Sequence, residues 1–378
     1  MSEYQICKRC VMDNVGDPNI VFDENGYCNY CSTALALKPD YPEKGDLSKV
    51  KALFDTIKEA CKDDPYDCLV GVSGGLDSSY IIYLGHTFGL RMLGVHIDDG
   101  LDTELAKQNI KNLCEKAQVE LINLQPDPEQ YRDLTLSFFK AGVPNLAIPQ
   151  DNLILGALTK AVKDYRLKYL LHGSNYSMEC ILQEGNSYTA ADDAHIRGIQ
   201  KKFSGKPIDK LPLTTTFENS ILKRLRKDVI RVKPLNLMDY RFDSALQELH
   251  DFCGYEYYGA KHHESVLTRF MQCWYLPEKF AADKRKSHLS SLVITGQITR
   301  EEALDRLAQP KYPSEEMKEA DFNTLASFLG ISREEFDQLI AQPAHSHDEY
   351  PKSFLSSKLV PFLLRIRDSF SRKKRGSL

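Results

Sequence analysis

Residues 67 to 79 read Asp-Cys-Leu-Val-Gly-Val-Ser-Gly-Gly-Leu-Asp-Ser-Ser, and this stretch decides the fold. An apolar run typical of a buried strand opens directly onto residues 73–79, which we call the phosphate loop. Gly74 and Gly75 have no Cβ, so a polyanion can approach the main chain there. Serine hydroxyls and the free N–H groups of a helix expected to start near Asp77 add donors. The stretch therefore predicts a site for the phosphates of a nucleotide.

The phosphate loop resembles the signature of the PP-loop ATP pyrophosphatases, the superfamily of asparagine synthetase and GMP synthetase. It is not a Walker A loop, because no Gly-Lys-Ser/Thr follows. The resemblance implies that ATP is cleaved between its α and β phosphates, with Asp77 helping to hold Mg²⁺. The plain alternative is an ordinary turn with a helix cap. The residues expected to hold the phosphates are Ser73, Gly74, Gly75, Asp77, Ser78 and Ser79.

The segments around the phosphate loop alternate between strand and helix patterns, which predicts an α/β fold with a doubly wound parallel sheet. The predicted strands are 67–73, 91–97, 119–124, 167–172 and 229–235. The predicted helices between them are 77–88, 103–117, 128–140 and 151–164.

Two further strand ends carry polar residues that we expect to meet the nucleotide, since ligands of such sheets lie beyond the carboxyl ends of the strands. His96 and Asp98 follow the second strand, where the PP-loop resemblance implies main-chain contact with adenine. Gly173 and Asn175 follow the fourth strand, where glycine allows close approach to the ribose or phosphates. Taken alone, each strand end could be an ordinary loop.

Composition limits the classes of protein that the chain can belong to. With 378 residues and 42% hydrophobic content it can bury a full core, and its net charge of −4 argues against broad capture of nucleic acid. No apolar stretch is long enough for a bilayer span and the N-terminus lacks signal-peptide features, so we expect a cytoplasmic protein. In that compartment the ten cysteines are expected to be metal ligands or free thiols.

Two Cys-x-x-Cys pairs stand near the N-terminus, separated by seventeen residues. Four thiolates at this spacing predict a zinc ribbon with a closed, structural Zn²⁺ site. A [4Fe–4S] cluster is the alternative that the sequence leaves open. The predicted ligands are Cys7, Cys10, Cys28 and Cys31.

The later part of the chain loses the regular alternation. An irregular insertion between Asn175 and Arg231 predicts a substrate loop, with a mobile lid as the alternative. A polar, aromatic-rich segment then runs from Tyr257 to His288, and it suits the diphosphate and base of a nucleotide-activated sugar. A solvated helix face is the plain alternative. The basic residues expected to bind there are Lys261, His262, Arg269, Lys284 and Arg285.

Several segments together resemble the N-acetyl sugar amidotransferases of the WbpG type, from surface-polysaccharide and lipopolysaccharide O-antigen biosynthesis. They are Cys-Lys-Arg-Cys-Val-Met-Asp at 7–13, the phosphate loop, Lys-His-His-Glu-Ser at 261–265 and Pro-Glu-Lys-Phe at 277–280. The resemblance implies that ATP adenylylates the amide oxygen of an N-acetyl group on a nucleotide-linked sugar. Ammonia then replaces that oxygen to give an acetamidino group, and AMP leaves. The phosphate loop, Asp77 and the basic residues above would do this work.

The same resemblance implies a domain order and partners. We predict a zinc ribbon over 1–40, a PP-loop domain over 41–240 and a helical substrate- or partner-binding region over 241–378. The sequence contains no Gly-x-Cys-x-Gly elbow and no N-terminal cysteine nucleophile, so a separate glutaminase with a cyclase-like ammonia conduit is expected. Two alternatives remain: a tRNA-thiolating PP-loop enzyme, and a non-catalytic scaffold of a biosynthetic complex.

Overall fold

The computed structural model describes residues 3–42, 46–218 and 229–353. A five-stranded sheet lies at its centre, with strand order β3-β2-β1-β4-β5 and every neighbouring pair parallel. The predicted parallel α/β sheet is confirmed, and each strand is shorter than predicted because strand pairing stops before the loops begin. The strands are β1 Cys68–Gly71, β2 Met92–Ile97, β3 Glu120–Leu124, β4 Tyr169–Leu171 and β5 Ile230–Val232.

Helices cover the sheet and build the C-terminal region. Before β5 they are Asn29–Leu37, Ser48–Ala60, Leu76–Thr87, Glu104–Ala117, Pro128–Ala141, Ile148–Asp164, Tyr176–Glu179 and Asp193–Phe203. After β5 they are Phe242–Cys253, Val266–Phe270, Leu276–Phe280, Arg285–Ile294, Arg300–Ala308, Glu315–Leu329 and Arg333–Ala341. Short 3₁₀ turns span Lys38–Asp40, Pro234–Leu237 and His347–Glu349, and a π-helical turn spans Met271–Tyr275. None of the helices in the described ranges is long and apolar enough to cross a bilayer.

The sheet is covered on both faces, because successive side chains of a strand point to opposite sides. Leu69 of β1 packs on one face with Ala157 and other residues of the helix Ile148–Asp164. Val70 belongs to the core on the other face, together with the helix Leu76–Thr87. This two-sided burial explains why the central strands read as continuous apolar runs.

The helices after residue 264 share a core with earlier parts of the chain. Phe270 lies at its centre, with its ring centroid 5.9 Å from that of Phe139 and 5.7 Å from that of Phe336. The same cluster includes residues from the helix Pro128–Ala141. The division into three domains stays a prediction.

Candidate functional site

A cleft of about 970 Å³ opens at the carboxyl ends of β1 and β4. Strand order reverses there, since β1 pairs with β2 on one side and with β4 on the other. Crevices at such switch points are the usual ligand sites of open α/β sheets. The cleft therefore lies where the sequence predicted a nucleotide.

The phosphate loop forms one wall of this cleft. Gly74 has φ +77°, a conformation that glycine adopts without strain, and its carbonyl accepts a hydrogen bond of 3.0 Å from Tyr255 Oη. Ser73 Oγ lies 3.0 Å from Ser78 Oγ and accepts from the Gly75 N–H at 3.2 Å. The loop is thus held in shape by its own hydroxyls and by Tyr255.

Four of the six predicted phosphate residues line the cleft: Ser73, Gly75, Asp77 and Ser78. Gly74 provides the turn without lining it. Ser79 is fully buried behind the loop, where its hydroxyl has no hydrogen-bond partner among the described residues. This buried position does not support the predicted contact between Ser79 and phosphate.

Asp77 is held between two side chains from distant parts of the sequence. Tyr240 Oη donates to Asp77 Oδ1 at 2.8 Å, and Lys261 Nζ donates to Asp77 Oδ2 at 2.9 Å. The same ammonium donates to Glu179 Oε1 at 2.7 Å. Burial alone would lower the pKa of Lys261, but the charges of the two carboxylates outweigh it and raise that pKa. A charged Lys261 therefore joins Asp77 to Glu179 beside the phosphate loop.

Of the two residues predicted after β2, only one lines the cleft. His96 lines the cleft, whereas Asp98 lies outside its lining and accepts a hydrogen bond of 3.0 Å from Gln125 Nε2. His96 Nδ1 donates to the Val72 carbonyl at 2.8 Å, and its Nε2 lies 3.0 Å from Asp102 Oδ2. Burial alone would lower the pKa of His96, but the Asp102 carboxylate raises it overall.

The predicted residues after β4 also have different roles. Gly173 lines the cleft, and a Cβ added there would lie 3.3 Å from Asp77 Cβ and 3.4 Å from the Ser78 nitrogen. A side chain at this position would press on the phosphate loop, and Asp77 would have to shift by a few tenths of an ångström to admit it. Asn175 is buried outside the lining and caps the helix Tyr176–Glu179, accepting from the Met178 N–H at 2.8 Å. Its predicted role at ribose or phosphate is thus replaced by a capping role.

The five basic residues predicted for the sugar nucleotide lie in different places. Lys261, His262 and Arg285 line the cleft. Arg285 is already engaged, since it pairs with Asp283 at 2.8 Å. Lys284 lies outside the lining, and burial lowers its pKa.

Arg269 also lies outside the cleft lining, because its guanidinium is committed to the helical core. It pairs with Asp321 through two hydrogen bonds, of 2.7 Å and 2.6 Å. Tyr312 Oη adds a third bond to Asp321 at 3.2 Å. In this position Arg269 holds helices together rather than facing a ligand.

Most of the predicted substrate loop also packs away from the cleft. Between Asn175 and residue 218, Met178 and Glu179 are the described residues that line it. Asp192 caps the helix Asp193–Phe203, and His195 is fully buried against His347, with 3.0 Å between Nε2 and Nδ1. Residues 219–228 of the insertion lie outside the described ranges.

Several cleft residues are not predicted by the sequence. Glu179 belongs to the irregular insertion, and Glu264 stands in a histidine-rich string with no signal of its own. Arg306 and Lys311 line the rim of the cleft and are exposed. The signal that could have found them is weak, because a single charged residue usually faces solvent.

The four predicted metal ligands come together. Their sulfur atoms all lie within 4.8 Å of one another, and the four residues are fully buried. Cys7 Sγ lies 3.7 Å from Cys31 Sγ, and Cys10 Sγ lies 3.6 Å from Cys28 Sγ. Thiolates of a tetrahedral zinc site, with Zn–S near 2.3 Å, lie about 3.8 Å apart. The arrangement fits a closed Zn²⁺ site.

The cysteine cluster is fixed to the helical region. Arg300 Nε donates to the carbonyl of Cys10 at 3.0 Å, and its Nη2 donates to that of Cys7 at 3.0 Å. Lys286 pairs with Asp13 at 2.6 Å. The cluster therefore braces the helices Arg285–Ile294 and Arg300–Ala308, which also carry residues that line the cleft.

The sheet order and the phosphate loop at its switch point define a parallel α/β protein with a glycine-rich loop at its ligand edge. Residues 264–362 match the family model described as "LPS biosynthesis protein WbpG-like, C-terminal domain". This match confirms the WbpG-type resemblance over that segment. No match to a curated protein was found.

Three solved structures show a distant likeness. The NH3-dependent NAD synthetase of Campylobacter jejuni is 14% identical with a TM-score of 0.32, covering 71% of this chain and 100% of its own. The NMN synthetase of Francisella tularensis is 12% identical with a TM-score of 0.30, covering 58% and 95%. The NAD+ synthetase of Burkholderia pseudomallei is 12% identical with a TM-score of 0.33, covering 94% and 98%. Nothing about substrates follows from similarities this low.

Proposed function

We propose that this protein is an ATP-dependent amidotransferase that converts an N-acetyl group on a nucleotide-linked sugar into an acetamidino group. One observation carries the proposal: the phosphate loop and the segment 257–313, most of which belongs to the WbpG-like match, line the same cleft. A loop suited to the phosphates of ATP and a segment that matches a WbpG-like domain thus face a common space.

The proposed chemistry makes a poor electrophile reactive. The amide oxygen attacks the α-phosphorus of ATP, pyrophosphate leaves, and the amide nitrogen loses its proton. Ammonia adds to the resulting imidate carbon, and the C–O bond then breaks as AMP departs with its electron pair. The phosphate loop would position the triphosphate, and the Lys261 ammonium would offset negative charge near the phosphates.

We assign Mg²⁺ to two carboxylates beside the phosphate loop. Asp77 and Glu179 share one cation in the present structure, the ammonium of Lys261 at 2.9 Å and 2.7 Å. Carboxylate oxygens beside a phosphate loop are the ligands that Mg²⁺ takes in nucleotide sites. When bound, the ion would neutralise charge on the leaving pyrophosphate. The site thus fits the predicted ATP and Mg²⁺.

The rim of the cleft suits the acceptor nucleotide. No ion pair is found for Arg306 or Lys311 within the ranges that the structure describes, and both line the cleft. Arg285 donates to the carbonyls of Leu307 and Gln309 and so fixes the loop that carries Lys311. We assign Arg306 and Lys311 to the diphosphate of the sugar nucleotide, a role predicted earlier for Arg269 and Lys284.

The thiolating alternative needs a reactive cysteine near the ATP. None of the six described cysteines outside the cluster lines the cleft. Burial raises the pKa of Cys180 to about 11 and raises that of Cys253, so neither thiol is activated. These positions favour the amidotransferase.

An acceptor screen tests the proposal. The protein is incubated with ATP, Mg²⁺, an ammonium salt and a panel of nucleotide-linked N-acetyl sugars, and products are weighed by mass spectrometry. We expect one sugar to become lighter by the difference between O and NH, with one AMP formed per product. ADP and orthophosphate as the products would refute the proposal.

A further inference from the structure

Glu264 is fixed at the cleft by its main chain. Its carbonyl accepts from the Thr103 N–H at 2.8 Å, and its neighbour Ser265 forms an antiparallel bridge with Asp102. The Val266 N–H donates to the Leu101 carbonyl at 2.8 Å. These bonds join Glu264 to the loop after β2, so its position does not depend on a flexible segment.

The carboxylate of Glu264 lacks a strong partner. Its side chain lines the cleft and is only 12% exposed. Oε2 is buried without a hydrogen bond to any residue in the described part of the chain. Oε1 is 3.7 Å from His262 Nδ1, too far for a strong hydrogen bond. A buried carboxylate with a free oxygen is costly unless a cation or donor occupies the adjoining space.

The surroundings of Glu264 are aromatic and lie against the phosphate loop. A Cβ on Gly75 would be 3.2 Å from Glu264 Oε1 and 3.4 Å from Tyr258 Oη, so both atoms flank the same glycine. Tyr257 also lines this part of the cleft, with its ring centroid 5.1 Å from that of Tyr258. Aromatic rings, a hydroxyl and a carboxylate are groups that bind small, weakly hydrated cations.

We infer that Glu264 and Tyr258 form the ammonium-binding site of this cleft, with Glu264 taking a proton from the nitrogen nucleophile. The inference rests on the proposed function and adds residues to it. Mg²⁺ is better served by Asp77 and Glu179, because two carboxylates already surround one cation there, whereas Glu264 is a single carboxylate.

The step balances as an acid–base reaction followed by addition. Ammonium gives one proton to the Glu264 carboxylate as its freed lone pair forms the C–N bond with the imidate carbon. The C=N π pair moves to the sugar nitrogen, which takes a proton from the newly added nitrogen. The lone pair of the sugar nitrogen then re-forms a C=N bond as the C–O bond breaks, AMP leaves with the C–O pair, and the product is the protonated amidine, with one proton left on Glu264.

Two measurements on the full chain test the inference. In steady-state assays with the acceptor that the wild type uses, Glu264→Gln should raise the KM for ammonium chloride about tenfold or more and leave the KM for ATP and the Mg²⁺ requirement near wild type. Hydroxylamine, which is largely unprotonated at neutral pH, should restore much of the lost turnover. Glu256→Gln is the matched control, since Glu256 is exposed and outside the cleft lining.

The second measurement needs no activity. Crystals of the protein soaked in rubidium chloride, an ion close to ammonium in size, should show an anomalous peak beside Glu264 that is absent in Glu264→Gln. No peak there in the wild type would overturn the inference whatever the reaction proves to be. An altered Mg²⁺ requirement, equal losses with ammonium and hydroxylamine, or an unchanged ammonium KM would also overturn it. A wild type that makes no AMP with any acceptor refutes the proposed function instead.

Discussion

At the residue scale, the cleft is organised by one cation between two carboxylates. Lys261 reaches Asp77 and Glu179, from which it is separated by 184 and 82 positions along the chain. Asp77 is predictable from the glycine loop that precedes it, and Lys261 only as part of a basic run. The contact between them is not predictable from local sequence, since the tertiary fold brings them together.

Replacing Lys261 should impair ATP cleavage. In Lys261→Met the two carboxylates face each other without the ammonium, and we expect AMP formation to fall about 100-fold, as for loss of one preorganised charge in an active site. AMP release, measured with the best acceptor, checks this. Lys286→Met is the control, because Lys286 is similarly buried and ion-paired but lies at the cysteine cluster. Equal activity of the two variants would contradict the assigned role.

His96 should make the free energy of unfolding depend on pH. Its pKa is raised above 6.5 in the folded chain, so the contribution of the pair with Asp102 is complete below that pH and is lost as pH rises through the folded pKa. Asp102→Asn should flatten this decline. Urea unfolding between about pH 5.5 and 8.5 measures it. A wild-type-to-variant difference that stays constant across this range would exclude the effect.

At the scale of elements, the strands and helices that carry the phosphate loop were predictable. Their apolar runs and helical repeats depend on local sequence alone, and Gly74 marks the turn between them. The insertion after Asn175 was not predictable in this way. Asn152, on the helix Ile148–Asp164, donates to the carbonyls of Ala190 and Thr214 at 2.6 Å and 3.1 Å. The course of the insertion is therefore set by a helix that lies outside it.

The cysteine cluster should bind zinc rather than an iron–sulfur cluster. Sulfur atoms within 4.8 Å of one another suit a single ion, whereas a [4Fe–4S] cluster binds each thiolate to a different iron and holds them farther apart. Metal analysis should give one Zn²⁺ per chain. Its removal by a chelator should expose residues 11–27 to limited proteolysis. Brown protein with visible absorbance and iron would contradict this assignment.

The helix Ile148–Asp164 should not tolerate a side chain at Gly156. A Cβ there would lie 1.7 Å from the Pro212 carbonyl oxygen, so backbone must shift, and we expect a loss of about 1–3 kcal/mol or more in the free energy of unfolding. Gly71→Ala is the control, since its Cβ would make only an ordinary contact of 3.7 Å with Leu158. Denaturant unfolding compares the two variants. Equal stabilities would show that the insertion does not pack on this helix as described.

At the scale of the whole molecule, the sequence predicted the sheet and its ligand edge better than the acceptor site. The sequence predicted that Arg269 and Lys284 bind the ligand, because a basic, aromatic run suits a nucleotide. Arg269 is instead paired with Asp321, 52 positions later, which no local pattern reveals. Arg306 and Lys311 reach the cleft rim only because the helices after residue 264 fold back onto the sheet domain.

The proposed reaction needs ammonia from outside this chain. We propose that a separate glutaminase and a cyclase-like conduit supply it, as the WbpG-type resemblance implies. The isolated protein should therefore use ammonium salts and show little turnover with glutamine. Product formation with each nitrogen source measures this, and addition of the partner should restore glutamine use. Robust glutamine-dependent turnover by the lone protein would contradict the proposed partners.

The most direct measurement follows the acyl oxygen. The acceptor is labelled with ¹⁸O in its N-acetyl carbonyl, and the protein is given ATP, Mg²⁺ and ammonium chloride. If the phosphate loop presents the α-phosphorus of ATP to the amide oxygen, the label must appear in AMP, with unlabelled pyrophosphate. Label in orthophosphate, or retained in the sugar while ATP is consumed, would contradict the account.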